Sequence, residues 1–326
     1  MSAKNKKPAN NNAGVKTAKK KTITTRVLNE LKKNKQLYIM FCIPLIYIVV
    51  FKYYPLIGAQ IAFKKYTAAG GIWGSDWIGL ENFARFFKNP QCWTYIKNTL
   101  AISSYSLVLS IPFPIILAVC LDYCRSRFLG KTVQMVVYLP HFLSVVITVS
   151  IMNLILDNRI GVINNIIELI SGNRVNFLGT ADYFRSLYVW SGIWQETGWG
   201  SILYIAALSG VDPQIHEAAM IDGANKFRRI WHIDLVSIRP TIVIMAIMKL
   251  GTIVSVGFDK TFLMQNPLNL RVSEVLSTYE YKIGLGGVMP DYSYAAAIGL
   301  MLSLVNFGMI LISNKIANKL SGDGLW

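Results

Sequence analysis

The feature that most constrains this chain is the recurrence of long, nearly uncharged apolar runs. A helix needs roughly 20 apolar residues to cross a bilayer core about 30 Å thick. Six windows of that kind occur, from Gln36 to Ile57, Thr99 to Leu121, Thr132 to Leu156, Arg185 to Leu208, Ile238 to Phe258 and Tyr292 to Asn314. The fourth is the least apolar, because Gln195, Glu196, Gly198 and Gly200 interrupt it. Hydrophobic residues make up 53% of the chain and charged residues 15%, against about 45–50% and 25% in an ordinary soluble domain. A soluble enzyme is thereby excluded. The expectation is an all-α membrane protein with six transmembrane helices over residues 36–326, behind a basic tail at 1–35.

The formal net charge is +16, which invites a nucleic-acid partner. Residues 1–35, however, hold eleven Lys or Arg against the single acid Glu30. The excess therefore sits in one Asn- and Lys-rich arm rather than on a folded face, and nucleic acid is not expected as a partner. Such an arm has few apolar side chains to bury and reads as a disordered segment drawn to anionic lipid. With the amino terminus inside, the four inner segments carry 20 Lys or Arg and the three outer ones 10. Positive residues favour the cytoplasmic side, so the chain should be a multi-pass protein of the cell membrane with both termini cytoplasmic.

Cys42, Cys92, Cys120 and Cys124 show no paired spacing and read as small hydrophobes. His141, His216 and His232 are widely separated, with no HExxH-like spacing, so no metal site is expected. His141, beside Pro140, reads as a polar packing residue, and His216 and His232 as solvated groups or groups facing a partner. The first apolar run is too long for a signal peptide and should remain in the mature protein. No GxxxxGK[ST] phosphate loop occurs, so the chain is not itself an ATPase. The outer segment 58–98 contains Trp73, Trp77, Phe83, Phe86, Phe87 and Trp93. It either folds against the membrane surface or supplies an interfacial aromatic belt.

Residues 209–239 are too long and too patterned for a simple turn. Asp212 followed by Pro213 is a helix start, and Gly223 is a natural residue to end that helix. Ile215, Ala218 and Ala219 form one short apolar face between them. A second helix should then align Phe227, Ile230, Trp231 and Leu235 in an apolar stripe, giving an amphipathic helix–turn–helix at the inner membrane surface. Geometry alone also permits a simple interfacial anchor.

The string E-A-A-M-I-D-G-A, Glu217 to Ala224, resembles the EAA loop of ABC-importer permeases, whose pattern is E-A-A, a glycine six residues after the glutamate, then I-x-L-P. Glu217, Ala218, Ala219, Gly223, Ile233 and Leu235 fall on those positions, with Asp222 inside the run; Val236 stands where proline is usual. F-K-Y-Y-P-L-I-G from Phe51, W-I-G-L-E-N-F from Trp77, Y-L-P-H-F-L-S from Tyr138 and Y-S-Y-A-A-A-I-G-L from Tyr292 are similar to the carbohydrate importer permeases, particularly the oligosaccharide and polysaccharide branch. The resemblance implies a type I ABC-importer permease fold with an ATPase-coupling loop at 209–239. It implies a second permease subunit, two ATPase subunits that use ATP and Mg, and an extracytoplasmic solute-binding protein that delivers an oligosaccharide. It also implies that this chain holds no cofactor and is a transport subunit rather than an enzyme. Alternating access, biased by ATP and by the docked binding protein, is the mechanism it implies.

Polar side chains inside spans should face the protein interior or a wet cavity. Asn153, Gln195, Glu196, Lys249 and Asn306 meet that description, and Trp190, Trp194 and Trp199 surround the fourth-window pair. Amides, a carboxylate and indoles together suit a sugar better than an ion, which makes Asn153, Trp190, Trp194, Gln195, Glu196, Lys249 and Asn306 the candidate substrate contacts. The alternative is that Glu196 neutralises Lys249 and the asparagines bond between helices.

Overall fold

The computed structural model describes residues 33–320 and Gly322, so nearly all of the basic tail lies outside the described residues. The chain divides into two compact units, Met1–Gly58 and Ala59–Trp326, each taken by itself. In the first unit, helix Lys35–Ile48 contains no acidic residue in its first turn and runs into a π-helical turn, Val49–Tyr53. A 3-10 stretch, Tyr54–Phe63, continues it across the unit boundary.

Among the described residues, three helical stretches are long and apolar enough to cross a membrane: Lys35–Phe63, Cys92–Asp122 and Tyr292–Lys319. The third window is not one straight helix. Arg127–Phe142 and Val145–Leu156 meet at a bend of 104°, and counting the pair as one span gives four. The break follows from local chemistry. Pro140 sits in the tight turn Leu139–Phe142, and the Ser144 hydroxyl accepts from Ile147 N–H to start the next helix.

The fourth window is one continuous helix, Phe184–Leu208, which at 1.5 Å per residue extends roughly 37 Å. The fifth window is helical only over Arg239–Leu250. Beyond it Gly251 to Gly257 leave the helix, and the Asn306 side chain satisfies the exposed backbone by accepting from Val254 N–H at 3.1 Å. The residues read as an outer loop, 259–291, instead form three short helices, Phe258–Met264, Leu270–Ser273 and Leu276–Gly284.

A two-stranded antiparallel hairpin, Lys64–Lys65 with Asp76–Trp77, corrects the all-α expectation in a small way. It belongs to the aromatic segment, which folds as a cap. Phe63 stacks on Trp77 at 5.7 Å, Asn82 Nδ2 donates to Ala62 O at 2.9 Å, and Phe86 is buried. Arg85 pairs with Asp291 at 2.6 Å and lies 4.3 Å from the Tyr294 ring, fixing the cap to the start of the last helix.

Three apolar clusters hold the second unit together. One joins the cap to the last helix through Phe86, Tyr95, Leu276 and Ile298. A second packs Ile102, Val149, Phe184 and Val275. A third gathers Ala118, Tyr204, Leu208 and Ile238, with Leu235 packed against it, at the root of the 209–239 loop. The Phe184–Leu208 helix packs against helices Cys92–Ser110, Pro112–Asp122, Arg127–Tyr138 and Arg239–Leu250. A Cβ at Gly198 would stand 2.0 Å from Val137 O, so the close crossing with helix Arg127–Tyr138 requires glycine there.

Candidate functional site

The 209–239 loop is rigid from its first residue. The Asp212 carboxylate accepts from Gln214 N–H at 2.9 Å, Pro213 opens the helix Pro213–Ile221, and Gly223 follows with φ +78°. That φ is costly for any residue with a Cβ, so the turn depends on glycine. Asn225 then caps the next helical turn by accepting from Arg228 N–H at 2.9 Å.

The second helix departs from the expected stripe. Lys226–Arg229 passes into a π-helical turn, Ile230–Asp234, before Leu235–Ser237. The extra residue in that turn rotates the face. Leu235 and Ile238 pack on the core, whereas Phe227 is 82% exposed and Trp231 is also exposed. Ile221 is 87% exposed and Met220 is exposed as well. The loop thus has an anchored root and an apolar outer surface, with Glu217, Ala218 and Asp222 exposed and Ala219 and Ile233 half-buried around a shallow groove.

At the root lies a feature that sequence reading missed. Asp234 is 1% exposed and accepts a hydrogen bond from Tyr123 Oη at 2.7 Å, while His216 Nε2 pairs with its other oxygen at 3.1 Å. One carboxylate therefore ties helix Pro213–Ile221, the π-helical turn and the residue following helix Pro112–Asp122. Burial and the bond to Asp234 push the Tyr123 phenol up to about 12, so it remains a donor at any physiological pH. His216 is consequently not a solvated group. Only its distance in sequence from Tyr123 and Asp234 hid the cluster.

The second candidate site is a cavity of about 510 Å³ inside the second unit, within the roughly 300–1,000 Å³ of small-ligand pockets. Gln195, Glu196 and Lys249 of the expected contacts line it; Asn153, Trp190, Trp194 and Asn306 do not. Asn153 is exposed, and so is Trp194. Trp190 Nε1 donates to Tyr105 Oη at 3.0 Å, and Asn306 is engaged with Val254 N–H and Ser255 Oγ. Ser103, Ser106 and Ser110, on one face of helix Cys92–Ser110, add hydroxyls to the wall, and Lys260 adds an ammonium.

The polar residues that interrupt the fourth window grip the broken third span. Gln195 Nε2 donates to Leu143 O at 2.9 Å, Glu196 Oε2 pairs with His141 Nδ1 at 3.1 Å, and the His141 ring stacks on Trp199 at 4.4 Å. Glu196 is thus paired with His141 rather than with Lys249. Irregular backbone at 251–257 borders the same cavity, which is where a membrane protein tolerates non-helical chain. All four cysteines are free, and among the described residues no cluster of His, Cys, Asp or Glu could hold a metal.

Comparison with known proteins settles the family. The model of the binding-protein-dependent transport system inner membrane components matches residues 110–322. This chain belongs to that family. The permease is 41% identical over 296 residues to Protein LplB of Bacillus subtilis (strain 168), covering 91% of this chain and 92% of that one. It is 39% identical to the polygalacturonan/rhamnogalacturonan transport system permease protein YteP of the same organism, covering 94% and 95%. In structure it matches a bacterial ABC transporter involved in the import of the acidic polysaccharide alginate, with a TM-score of 0.83, 36% identity, and 91% and 99% of the two chains covered. A second structure, of an alginate ABC transporter in complex with alginate pentasaccharide-bound periplasmic protein, gives 0.84, 35% identity, and 92% and 100%. The permease therefore has the type I ABC-importer fold, and it is a membrane transport component, not an enzyme.

Proposed function

We propose that this chain is one half of the transmembrane channel of an ATP-driven importer that takes up an oligosaccharide delivered by an extracytoplasmic binding protein. The names of the relative YteP and of the alginate importer support a saccharide cargo, and the alginate complex supports a binding-protein partner. In this reading the chain crosses the membrane six times with both termini inside. The windows at 185–208 and 238–258 cross as the helix Phe184–Leu208 and as the helix Arg239–Leu250 with its cavity-lining extension. A second permease subunit packs against this one, which suits the exposed Trp194 and Asn153. Membrane lipid surrounds the rest.

The observation that carries the reading is the anchored knob. Glu217, Ala218, Ala219 and Asp222 form its docking face, Gly223 its turn, and Ile233 and Leu235 its root. Exposed Met220, Ile221 and Phe227 complete an apolar surface that an ATPase groove can bury. ATP and Mg belong to two separate ATPase subunits, and this chain holds no cofactor. Because Asp234 joins the knob, through Tyr123, to the end of helix Pro112–Asp122, a push on the knob reaches the span ends without being absorbed by a loose loop. The spans then alternate between inward-open and outward-open states.

The test is co-purification of the ATPase with the full complex, together with ATP hydrolysis stimulated by liganded binding protein. Glu217→Lys and Phe227→Asp should insert normally, lose ATPase association by tenfold or more, and lose stimulation. Normal association in both variants would remove the loop from the docking role.

A further inference from the structure

The charges on the cavity wall do not balance, and the imbalance indicates the cargo. We propose that the cavity receives an anionic saccharide, one bearing uronate carboxylates, and that Lys260 is the ammonium that meets a carboxylate. The inference rests on the importer reading and narrows its substrate class.

Three charged side chains line the cavity, the ammoniums of Lys249 and Lys260 and the carboxylate of Glu196. Glu196 already stands 3.1 Å from His141. Neither lysine has an ion-pair partner within 4.0 Å among the described residues, so two ammoniums share the field of one engaged carboxylate. Lys260 is the more confined, at 9% exposure. Its Nζ donates to Tyr188 O at 2.9 Å and lies 4.8 Å from the Tyr188 ring. An ammonium carries three donors, and among the described residues this one makes a single hydrogen bond, to Tyr188 O, so two donors remain for a group in the cavity.

The site is also shaped for that group. A Cβ at Gly192 would stand 3.2 Å from Lys260 Nζ, so glycine on the Phe184–Leu208 helix leaves the ammonium room to reach the backbone and the cavity together. A buried cation without a counter-charge is costly in a membrane protein and is kept where it meets a charged ligand. A neutral sugar leaves the excess positive charge in place, whereas a carboxylate offsets it. Ser103, Ser106 and Ser110 on the same cavity wall supply hydroxyl partners for the sugar ring.

The experiment uses the whole importer, with partner permease, ATPases and binding protein, reconstituted in vesicles. Uptake is measured for two acidic probes, trigalacturonate and trimannuronate, and two neutral ones, maltotriose and arabinotriose. Wild type should accumulate an acidic probe in preference to both neutral ones. Lys260→Gln keeps a donor for Tyr188 O but removes the charge, and should lower acidic uptake tenfold or more with ATPase association unchanged. Lys260→Arg should keep most of it. Lys249→Gln, at a less confined position, gives the same direction if Lys260→Gln fails to assemble. Preferential uptake of a neutral probe, or acidic uptake indifferent to both glutamine variants, overturns the inference while leaving the importer reading intact. Uptake of none of the four by an assembled complex defeats the oligosaccharide reading, and this inference with it.

Discussion

Two residues decide whether the knob holds its shape, and they act by different physics. Asp234 is buried with two partners, so removing one leaves a carboxylate under-solvated in a place water does not reach. Tyr123→Phe should therefore lower the stability of the purified complex by about 1.5–3 kcal/mol, the range for hydrogen bonds to charged groups, read as a shift in its thermal unfolding. A melting curve that matches wild type would show that His216 alone satisfies Asp234. Gly223 acts through the backbone. At φ +78° a β-branched residue is strained by about 1–2 kcal/mol, while a Cβ there meets no neighbouring atom. Gly223→Val should thus misplace the second half of the loop without a steric clash, and Gly223→Asn, which tolerates positive φ, should restore most of the ATPase association that valine removes. Equal loss in both variants would mean that conformation is not what the position requires.

At the scale of elements, the legible features were those that local chemistry dictates. Asp212 and Pro213 announced a helix start and Gly223 its end, and both stand where the spacing placed them. The illegible ones depend on what another element does. Pro140 and Ser144 mark a break inside Thr132–Leu156, but its 104° angle was not legible there, because Gln195, Glu196 and Trp199 on the Phe184–Leu208 helix hold the turn. The fifth window looked continuous because its glycines and Ser255 are unremarkable without Asn306 beside them. Lys260 was hidden in a segment read as outer loop, since helices of four to nine residues lack the length by which a span is recognised. Leu235 leaves the stripe of Phe227 and Trp231 because periodicity assumes 3.6 residues per turn, and the π-helical turn Ile230–Asp234 breaks that assumption. The helix crossing at Gly198 gives a direct check. Because a Cβ would fall 2.0 Å from Val137 O, even Gly198→Ala must push the helices apart, at about 1–3 kcal/mol by the measure of overpacked cores. Gly308, in the last helix, whose added Cβ would meet nothing within 4 Å, should accept alanine without loss of thermal stability. Indistinguishable behaviour of the two alanine variants would contradict the close crossing.

For the whole molecule, orientation is set by where positive charge lies, and the contribution of the tail can be separated from that of the loops. Residues 1–25 hold seven lysines and lie outside the described residues, so the argument rests on charge alone. Removing them lowers the inner count of Lys and Arg from 20 to thirteen, still above the ten of the outer segments. The positive-inside preference therefore keeps its direction, now carried by Arg26, Lys32, Lys33 and Lys35 beside the first window together with Arg125, Arg127, Lys131, the four basic residues of the 209–239 loop, Lys315 and Lys319. A chain lacking residues 1–25 should insert the same way round, assemble with its ATPase and transport within about twofold of the full chain, since loss of a surface polybasic segment weakens lipid attraction by only about 1 kcal/mol per Lys or Arg. Val288 provides the reporter: it is fully exposed in the segment between the last two windows, which this orientation places outside. In a cysteine-free background, Val288→Cys should react with a membrane-impermeant maleimide added to intact cells, equally in the full and shortened chains. Labelling that disappears on truncation would mean that the tail, not the loops, orients the permease.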